Sequence, residues 1–188
     1  MPMSDQIKEF VIAGHGNLEG VKTMLEAQPE LLNASHEWRP NDFETALQAA
    51  SHVGNREIAL HLLERGAPPT ITTAAMLGDV AALDECLTRD PSLIHSSGAH
   101  GIPLLAHAVM SGNPAVVSDL ISRGAVSGAS MALGVAVDIA CETGNLEVVR
   151  VLMAQTKPDL HWKNMQGKTA LELAAGNLEL LISLEVRP

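Results

Sequence analysis

A glycine followed by Asn or Asp recurs six times along the 188-residue chain, each time just before a new apolar stretch. The glycines of successive pairs are 38, 24, 34, 32 and 32 residues apart. A period in the thirties is typical of stacked supersecondary units rather than of one globular core. We refer to these pairs as the seams; they are Gly16-Asn17, Gly54-Asn55, Gly78-Asp79, Gly112-Asn113, Gly144-Asn145 and Gly176-Asn177.

Each seam predicts the end of one helix and the start of the next. A glycine can close a helix in the left-handed conformation, which is unfavourable for a residue that carries a Cβ. The following Asn or Asp can cap the next helix through its side-chain oxygen, an interaction worth about 1 kcal/mol relative to Ala. Four seams are followed by an acid in the first turn, where a negative charge suits the helix dipole: Glu19, Glu57, Glu147 and Glu179. The spacing therefore predicts a series of helix pairs.

Several short motifs recur in order with the seams. Small-residue stretches precede them, such as Thr-Ala-Leu-Gln-Ala-Ala at 45–50, Pro-Leu-Leu-Ala-His-Ala at 103–108 and Thr-Ala-Leu-Glu-Leu-Ala at 169–174. Leu-Leu-Glu-Arg-Gly-Ala at 62–67 and Leu-Ile-Ser-Arg-Gly-Ala at 120–125 follow them. Over nearly the whole chain this order resembles the ankyrin repeat, although the Thr-Pro-Leu-His of that family is nowhere intact.

The resemblance implies an all-α fold, an ankyrin-like solenoid of stacked helix-turn-helix repeats joined by short turns called fingers. A single domain would span residues 1–188. It would contain about five repeats and a truncated C-terminal cap at 167–185. The expected repeats lie at about 5–33, 43–67, 69–95, 101–125 and 133–156.

Composition restricts the possible partners and location. The formal net charge is −10 and no basic run offsets it, so we expect no binding to nucleic acid, whose phosphates demand an excess of Lys and Arg. Cys86 and Cys141 lie in apolar helical patterns, which favours buried free thiols in a reducing compartment. No apolar run approaches 18 residues, so we expect no contact with a membrane. The prediction is a cytoplasmic monomer.

Two fingers differ in length from the others. The first, at 36–43, is about four residues longer than expected and contains Trp38, one of only two tryptophans. The second, at 66–70, is almost removed. A long finger beside a missing one predicts a notch in the stack. Trp38 and Arg39 would then contact a partner, because both residue types are enriched at interface hot spots; alternatively, Trp38 and Phe43 pack over the first repeat.

In ankyrin proteins the fingers and the positions just before the seams form the concave binding face. The resemblance therefore implies a non-enzymatic module that binds another protein through this face and the enlarged first finger. Apolar residues at several of these positions favour an interaction surface, since exposed apolar patches mark such sites. The alternative is that one or two of them tuck between helices. The predicted contacts are Trp38, Arg39, His52, Val53, Met76, Leu77, Met110 and Glu142.

The eight histidines match no compact metal-ligand motif, so we expect no metal and no cofactor. One metal site remains as an alternative, assembled across fingers from His36, Asp42, His95 and His100. No nucleophile turn accompanies the Ser and His residues, and we assign no catalytic residue. An alternative function is a small-molecule binder or small enzyme with a pocket in the notch between repeats one to four. That pocket would be lined by Trp38, Asp42, His52, His100 and His107.

Overall fold

The computed structural model describes residues 4–126 and 131–185, and most of these residues form short α-helices that follow one another in pairs. The helices are α1 (Ser4–Gly14), α2 (Leu18–Ala27), α3 (Ala46–His52), α4 (Arg56–Glu64), α5 (Ile71–Leu77), α6 (Val80–Arg89), α7 (Leu104–Met110), α8 (Pro114–Ser122), α9 (Met131–Glu142), α10 (Leu146–Gln155), α11 (Ala170–Leu173) and α12 (Leu178–Glu185). None of these helices is both long and apolar enough to cross a membrane.

The seams form the predicted helix boundaries. In all six, the side chain of the Asn or Asp accepts a backbone N–H from the first turn of the next helix, as Asn55 does from Ile58 at 3.1 Å. Five of the six glycines have a positive φ, which confirms their predicted left-handed conformation. Gly16 does not, so the prediction is wrong at the first seam.

The enlarged first finger is a β-hairpin. Strands β1 (Ser35–Arg39) and β2 (Asp42–Thr45) pair antiparallel, with His36 opposite Glu44. Asn41 adopts a left-handed φ of 67° in the turn between them, a conformation that Asn tolerates better than most residues. β2 leads directly into α3 through a capping box, in which Thr45 and Gln48 each bond the backbone N–H of the other. The hairpin is therefore anchored to the start of α3.

Short 3₁₀-helices lie in the connection between α2 and β1 and in the connection between α6 and α7. They are Pro29–Leu31, Pro91–His95 and Ala99–Gly101. The last of these lies in the loop 96–103, where Ser97 pairs with Pro103, and we call this loop the third finger. The second finger is almost absent, as the sequence predicted, because only 65–70 separate α4 from α5.

The first helices of successive pairs pack on one another in chain order, α1 on α3, then α5, α7, α9 and α11. Among the second helices, α2 packs on α4, and α10 packs on both α8 and α12. The apolar faces between them form two buried clusters, one centred on α1 to α4 and one running from α5 to α12. Both cysteines are free, and burial raises the pKa of the Cys141 thiol to about 12.

Candidate functional site

The hairpin spans the notch left by the missing second finger and contacts the third finger. The backbone N–H of His100 donates to Asp42 Oδ1 at 3.0 Å, and His100 Nδ1 lies 2.9 Å from Asp42 Oδ2. His100 holds a left-handed φ of 59°, which is uncommon for a residue with a side chain. Asp42 thus binds both the backbone and the ring of His100, so the first and third fingers are joined directly.

A carboxylate with no exposed surface, that of Glu44, lies beneath this bridge. The indole Nε1 of Trp38 donates to Glu44 Oε2 at 2.6 Å. Three imidazoles approach the same carboxylate: His52 Nδ1 lies 2.8 Å from Oε1, His100 Nε2 lies 3.4 Å from Oε1, and His15 Nε2 lies 3.8 Å from Oε2. We call His15, Glu44, His52 and His100 the histidine cluster.

Separate segments supply the members of the histidine cluster. His15 directly follows α1, Glu44 lies on β2, His52 ends α3, and His100 lies in the third finger. The rings pack edge to face, with centroids 4.9 Å apart for His15 and His52 and 5.1 Å apart for His52 and His100. Residues that are up to 85 positions apart in the chain (15 to 100) therefore meet around one carboxyl group.

The electrostatics of the site favour an ionised carboxylate. Burial acts to raise the pKa of Glu44, but the approach of His52, the hydrogen bond from Trp38 and the nearby His15 outweigh it, and the pKa is lowered. The pKa of Asp42 is also lowered, chiefly by its hydrogen bonds with His100. His107 differs from the histidine cluster, because burial lowers its pKa to about 4 and leaves the ring neutral.

Four of the five residues predicted for the alternative pocket are brought together. Trp38, His52 and His100 each contact Glu44, and Asp42 contacts His100. The fifth, His107, lies buried on α7, where its Nδ1 pairs with the Pro103 carbonyl at 3.0 Å.

Sequence reasoning missed Glu44 and His15. The signal for Glu44 was the alternation of the hairpin, in which exposed Phe43 precedes an inward-facing carboxylate. His15 carried no such signal, because it reaches Glu44 only through the packing of α1 on α3.

The metal alternative named from the sequence is wrong in its membership. Asp42 and His100 are in contact, but the His36 ring packs edge to face on Trp38, with centroids 4.6 Å apart. His95 is exposed at the end of the turn Pro91–His95. Within residues 4–126 and 131–185, the group at metal-binding separations is His15, Glu44 and His52, whose ligand atoms all lie within 4.8 Å of one another.

One predicted partner contact is wrong. Met76 is only 2% exposed and packs in the cluster that contains Ile58 and Leu62, because it lies on the side of α5 that faces the preceding helices. The alternative that Phe43 packs over the first repeat is also wrong, since its side chain is 51% exposed. The other predicted contacts retain exposed surface: Arg39, Val53 and Glu142 are exposed, and Trp38, His52, Leu77 and Met110 are partly buried.

Comparisons with known proteins agree with the fold. Residues 42–74 match the family model Ankyrin repeat. The whole structure is similar to an ankyrin repeat domain from Acinetobacter baumannii AYE, at 22% identity and a TM-score of 0.50, covering 94% of this chain and 95% of that one. No curated protein sequence matches. The repeat match covers 33 of the 188 residues, whereas the similarity of fold extends over 94% of the chain. Ankyrin repeats are generally protein–protein interaction modules.

Proposed function

We propose that this chain is a non-enzymatic module that binds another protein through its concave face and the first hairpin. The general role of ankyrin repeats supports the class of function. The observation that carries the proposal is an apolar stripe at the seams, in which Val53 is 44% exposed and is followed by Leu77 and Met110. We also infer five repeats and a C-terminal cap, so that the stripe runs across repeats two to four.

Contacts between the seams support a continuous stripe. A Cβ placed on Gly54 would lie 3.6 Å from Met110 Cβ, so the Met110 side chain rests against the turn that carries Val53. The guanidinium of Arg56 donates to the Leu77 carbonyl at 2.7 Å and ties the intervening seam to the same region. Val53, Leu77 and Met110 therefore present neighbouring apolar surface. A methionine suits such a surface, because its flexible side chain adapts to partners of different shape.

The hairpin supplies a second contact region beside the stripe. Arg39 is exposed near its tip, and Phe43 projects from the face opposite Glu44. An exposed Phe and Arg on a rigid hairpin have the character of hot-spot residues, which combine a large apolar area with charge-assisted hydrogen bonds. Because Asp42 and His100 fix the hairpin to the third finger, these side chains are held in place before a partner arrives.

The test compares two charged substitutions inside the stripe with one outside it. The double variant Val53→Glu, Met110→Glu should retain its melting temperature within a few degrees but lose partners captured from an extract of the source organism. The matched control is Leu60→Glu, since Leu60 is 40% exposed on α4 and lies outside the stripe. Equal capture by the double variant and the control would contradict the proposed surface.

A second candidate is the small-molecule binder with a site in the notch. It is favoured by the convergence of Trp38, Asp42, His52 and His100 around Glu44.

A further inference from the structure

We propose that His15, Glu44, His52 and His100 form a binding site for one divalent transition-metal ion, with Zn²⁺ as the best match. The four side chains offer three imidazole nitrogens and one carboxylate oxygen, which is a ligand set that zinc accepts. The inference does not depend on the protein-binding function proposed above.

The separations around the Glu44 carboxylate fit a tetrahedral ion. Zinc binds imidazole nitrogen and carboxylate oxygen at about 2.0–2.2 Å, so two ligand atoms on one tetrahedral ion lie about 3.3 Å apart. His52 Nδ1, His100 Nε2 and His15 Nε2 lie 2.8, 3.4 and 3.8 Å from the nearest carboxylate oxygen. The ligand atoms of His15, Glu44 and His52 also lie within 4.8 Å of one another, so small side-chain adjustments would bring these three onto one ion. His100 Nε2, at 3.4 Å from Oε1, is the group that would complete the four.

Hydrogen bonds outside the cluster orient two of the imidazoles. His15 Nδ1 lies 3.0 Å from the Val11 carbonyl, which can only accept, so Nδ1 carries the proton and a neutral ring presents the lone pair of Nε2 to Glu44. His100 Nδ1 is held in the same way by the Asp42 carboxylate at 2.9 Å. A carboxylate or carbonyl behind the ligating histidine is the usual second layer of a zinc site, since it fixes the tautomer and raises the basicity of the ligand.

The carboxylate itself has one oxygen held and one oxygen unpaired. Trp38 donates to Glu44 Oε2, whereas Oε1 is buried and makes no hydrogen bond. His52 Nδ1 is also buried without a hydrogen-bond partner, although it lies 2.8 Å from Oε1. A buried polar atom left unpaired is unfavourable, because it has lost its hydrogen bonds to water. A cation between these two atoms would satisfy both.

The donor atoms and their access select the class of ion. Three nitrogens and a single carboxylate disfavour Ca²⁺ and Mg²⁺, which prefer six or more oxygen ligands. The side chains of His15 and His100 are 33% and 29% exposed, so an ion can enter from solvent although Glu44 is buried. A bound ion would also cross-link α1, the hairpin, α3 and the third finger.

A competing account is that the cluster is only a network of polar contacts between three histidines and a carboxylate. Both accounts explain the burial of Glu44, but only a metal site predicts stoichiometric binding of the free ion. The experiment therefore titrates Zn²⁺ into the chelator-treated full chain by calorimetry, and repeats the titration with Co²⁺ while recording its visible spectrum. We expect one ion per chain and the intense cobalt bands of a four-coordinate nitrogen and oxygen site.

Variants identify where the ion binds. Glu44→Gln and His15→Gln should each weaken zinc binding by more than about tenfold, and Asp42→Asn, which acts behind His100, by about 10- to 100-fold. The control variants are His95→Gln and His161→Gln, which remove exposed histidines outside the cluster and should leave the affinity unchanged. Zinc should raise the melting temperature of the wild-type chain and of the controls but not that of Glu44→Gln.

The proposal is overturned if the wild-type chain binds neither ion, or if Glu44→Gln and His15→Gln bind zinc as well as the controls do. The second result would show that surface histidines account for the binding. His15→Gln keeps the test decisive if Glu44→Gln fails to fold, because His15 is partly exposed and Glu44 keeps Trp38, His52 and His100 as partners in that variant.

Discussion

Glu44 is a buried acidic residue that lies two positions before α3, a helix of mostly small, buried residues. An ionised carboxylate is unfavourable in the interior unless charge partners and hydrogen bonds compensate its desolvation. Here Trp38 and three imidazoles compensate it, and all of them come from segments outside α3 except His52. The histidine cluster is therefore assembled around a charged residue in an otherwise apolar part of the interior.

Burial of His107 makes the stability of the fold depend on pH. Its pKa falls from 6.5 to about 4 in the folded chain because the ring is buried. As the pH falls below 6.5, the unfolded chain takes up a proton on His107 before the folded chain does. The free energy of unfolding is therefore at its full value above pH 6.5 and decreases as the pH falls from about 6.5 to 4. The shift corresponds to about 3 kcal/mol in the free energy of unfolding. Urea denaturation at a series of pH values measures it.

The control for His107 is His107→Gln, which can keep a hydrogen bond to the Pro103 carbonyl but does not titrate. This variant should show a clearly shallower loss of stability between pH 6.5 and 4. An unchanged pH dependence in the variant would assign the titration to another group.

At the scale of elements, the close approach of α1 to α3 depends on a missing side chain. A Cβ on Gly14, the last residue of α1, would lie 2.7 Å from the backbone oxygen of Ala46 and 2.9 Å from its Cα. Backbone atoms cannot yield as a flexible side chain can, so Gly14→Ala should lower the free energy of unfolding by about 1–3 kcal/mol. Chemical denaturation measures the change.

The matched control for Gly14→Ala is Gly16→Ala, two residues further along the chain. A Cβ on Gly16 would meet no atom within 4 Å, and its φ is not positive. Gly16→Ala should therefore change the stability by no more than about 0.5 kcal/mol. Equal destabilisation by the two substitutions would mean that backbone flexibility, not the contact with Ala46, sets the effect.

Elements that depend on residues close together in the sequence could be predicted. The capped helix starts depend on an Asn or Asp and the few residues after it, and all six are present. Finger lengths could also be predicted, and they placed Trp38, Asp42 and His100 near one another. Glu44 and His15 could not be assigned, since their partners lie on other segments. Met76 was wrongly assigned to the surface, because an apolar residue before a seam can face either the groove or the neighbouring helix.

At the scale of the whole molecule, the two buried clusters divide at α5, where Ala74 and Ala75 belong to one and Met76 to the other. Leu25 and Leu120 are fully buried in different clusters. Each change to Ala should lower the stability by about 2–5 kcal/mol through cavity formation. Because stacked repeats interact chiefly with their neighbours, the double variant should equal the sum of the single variants within about 0.5 kcal/mol.

Equilibrium denaturation of the two single variants and the double variant tests this. A coupling above about 1 kcal/mol would indicate that both clusters contribute to one cooperative core. A biphasic transition in Leu25→Ala alone would have the opposite meaning, namely that the first two helix pairs unfold independently.

In our proposal the hairpin β1–β2 reaches the third finger and closes a metal site around Glu44. X-ray absorption at the zinc edge, on the full chain loaded with one equivalent of Zn²⁺, tests it most directly. We expect four nitrogen and oxygen neighbours at about 2.0–2.1 Å, with the outer scattering of three imidazoles. Scattering from three imidazoles that persists in Glu44→Gln and is lost in His95→Gln, or six oxygen neighbours in the wild-type chain, would contradict the account.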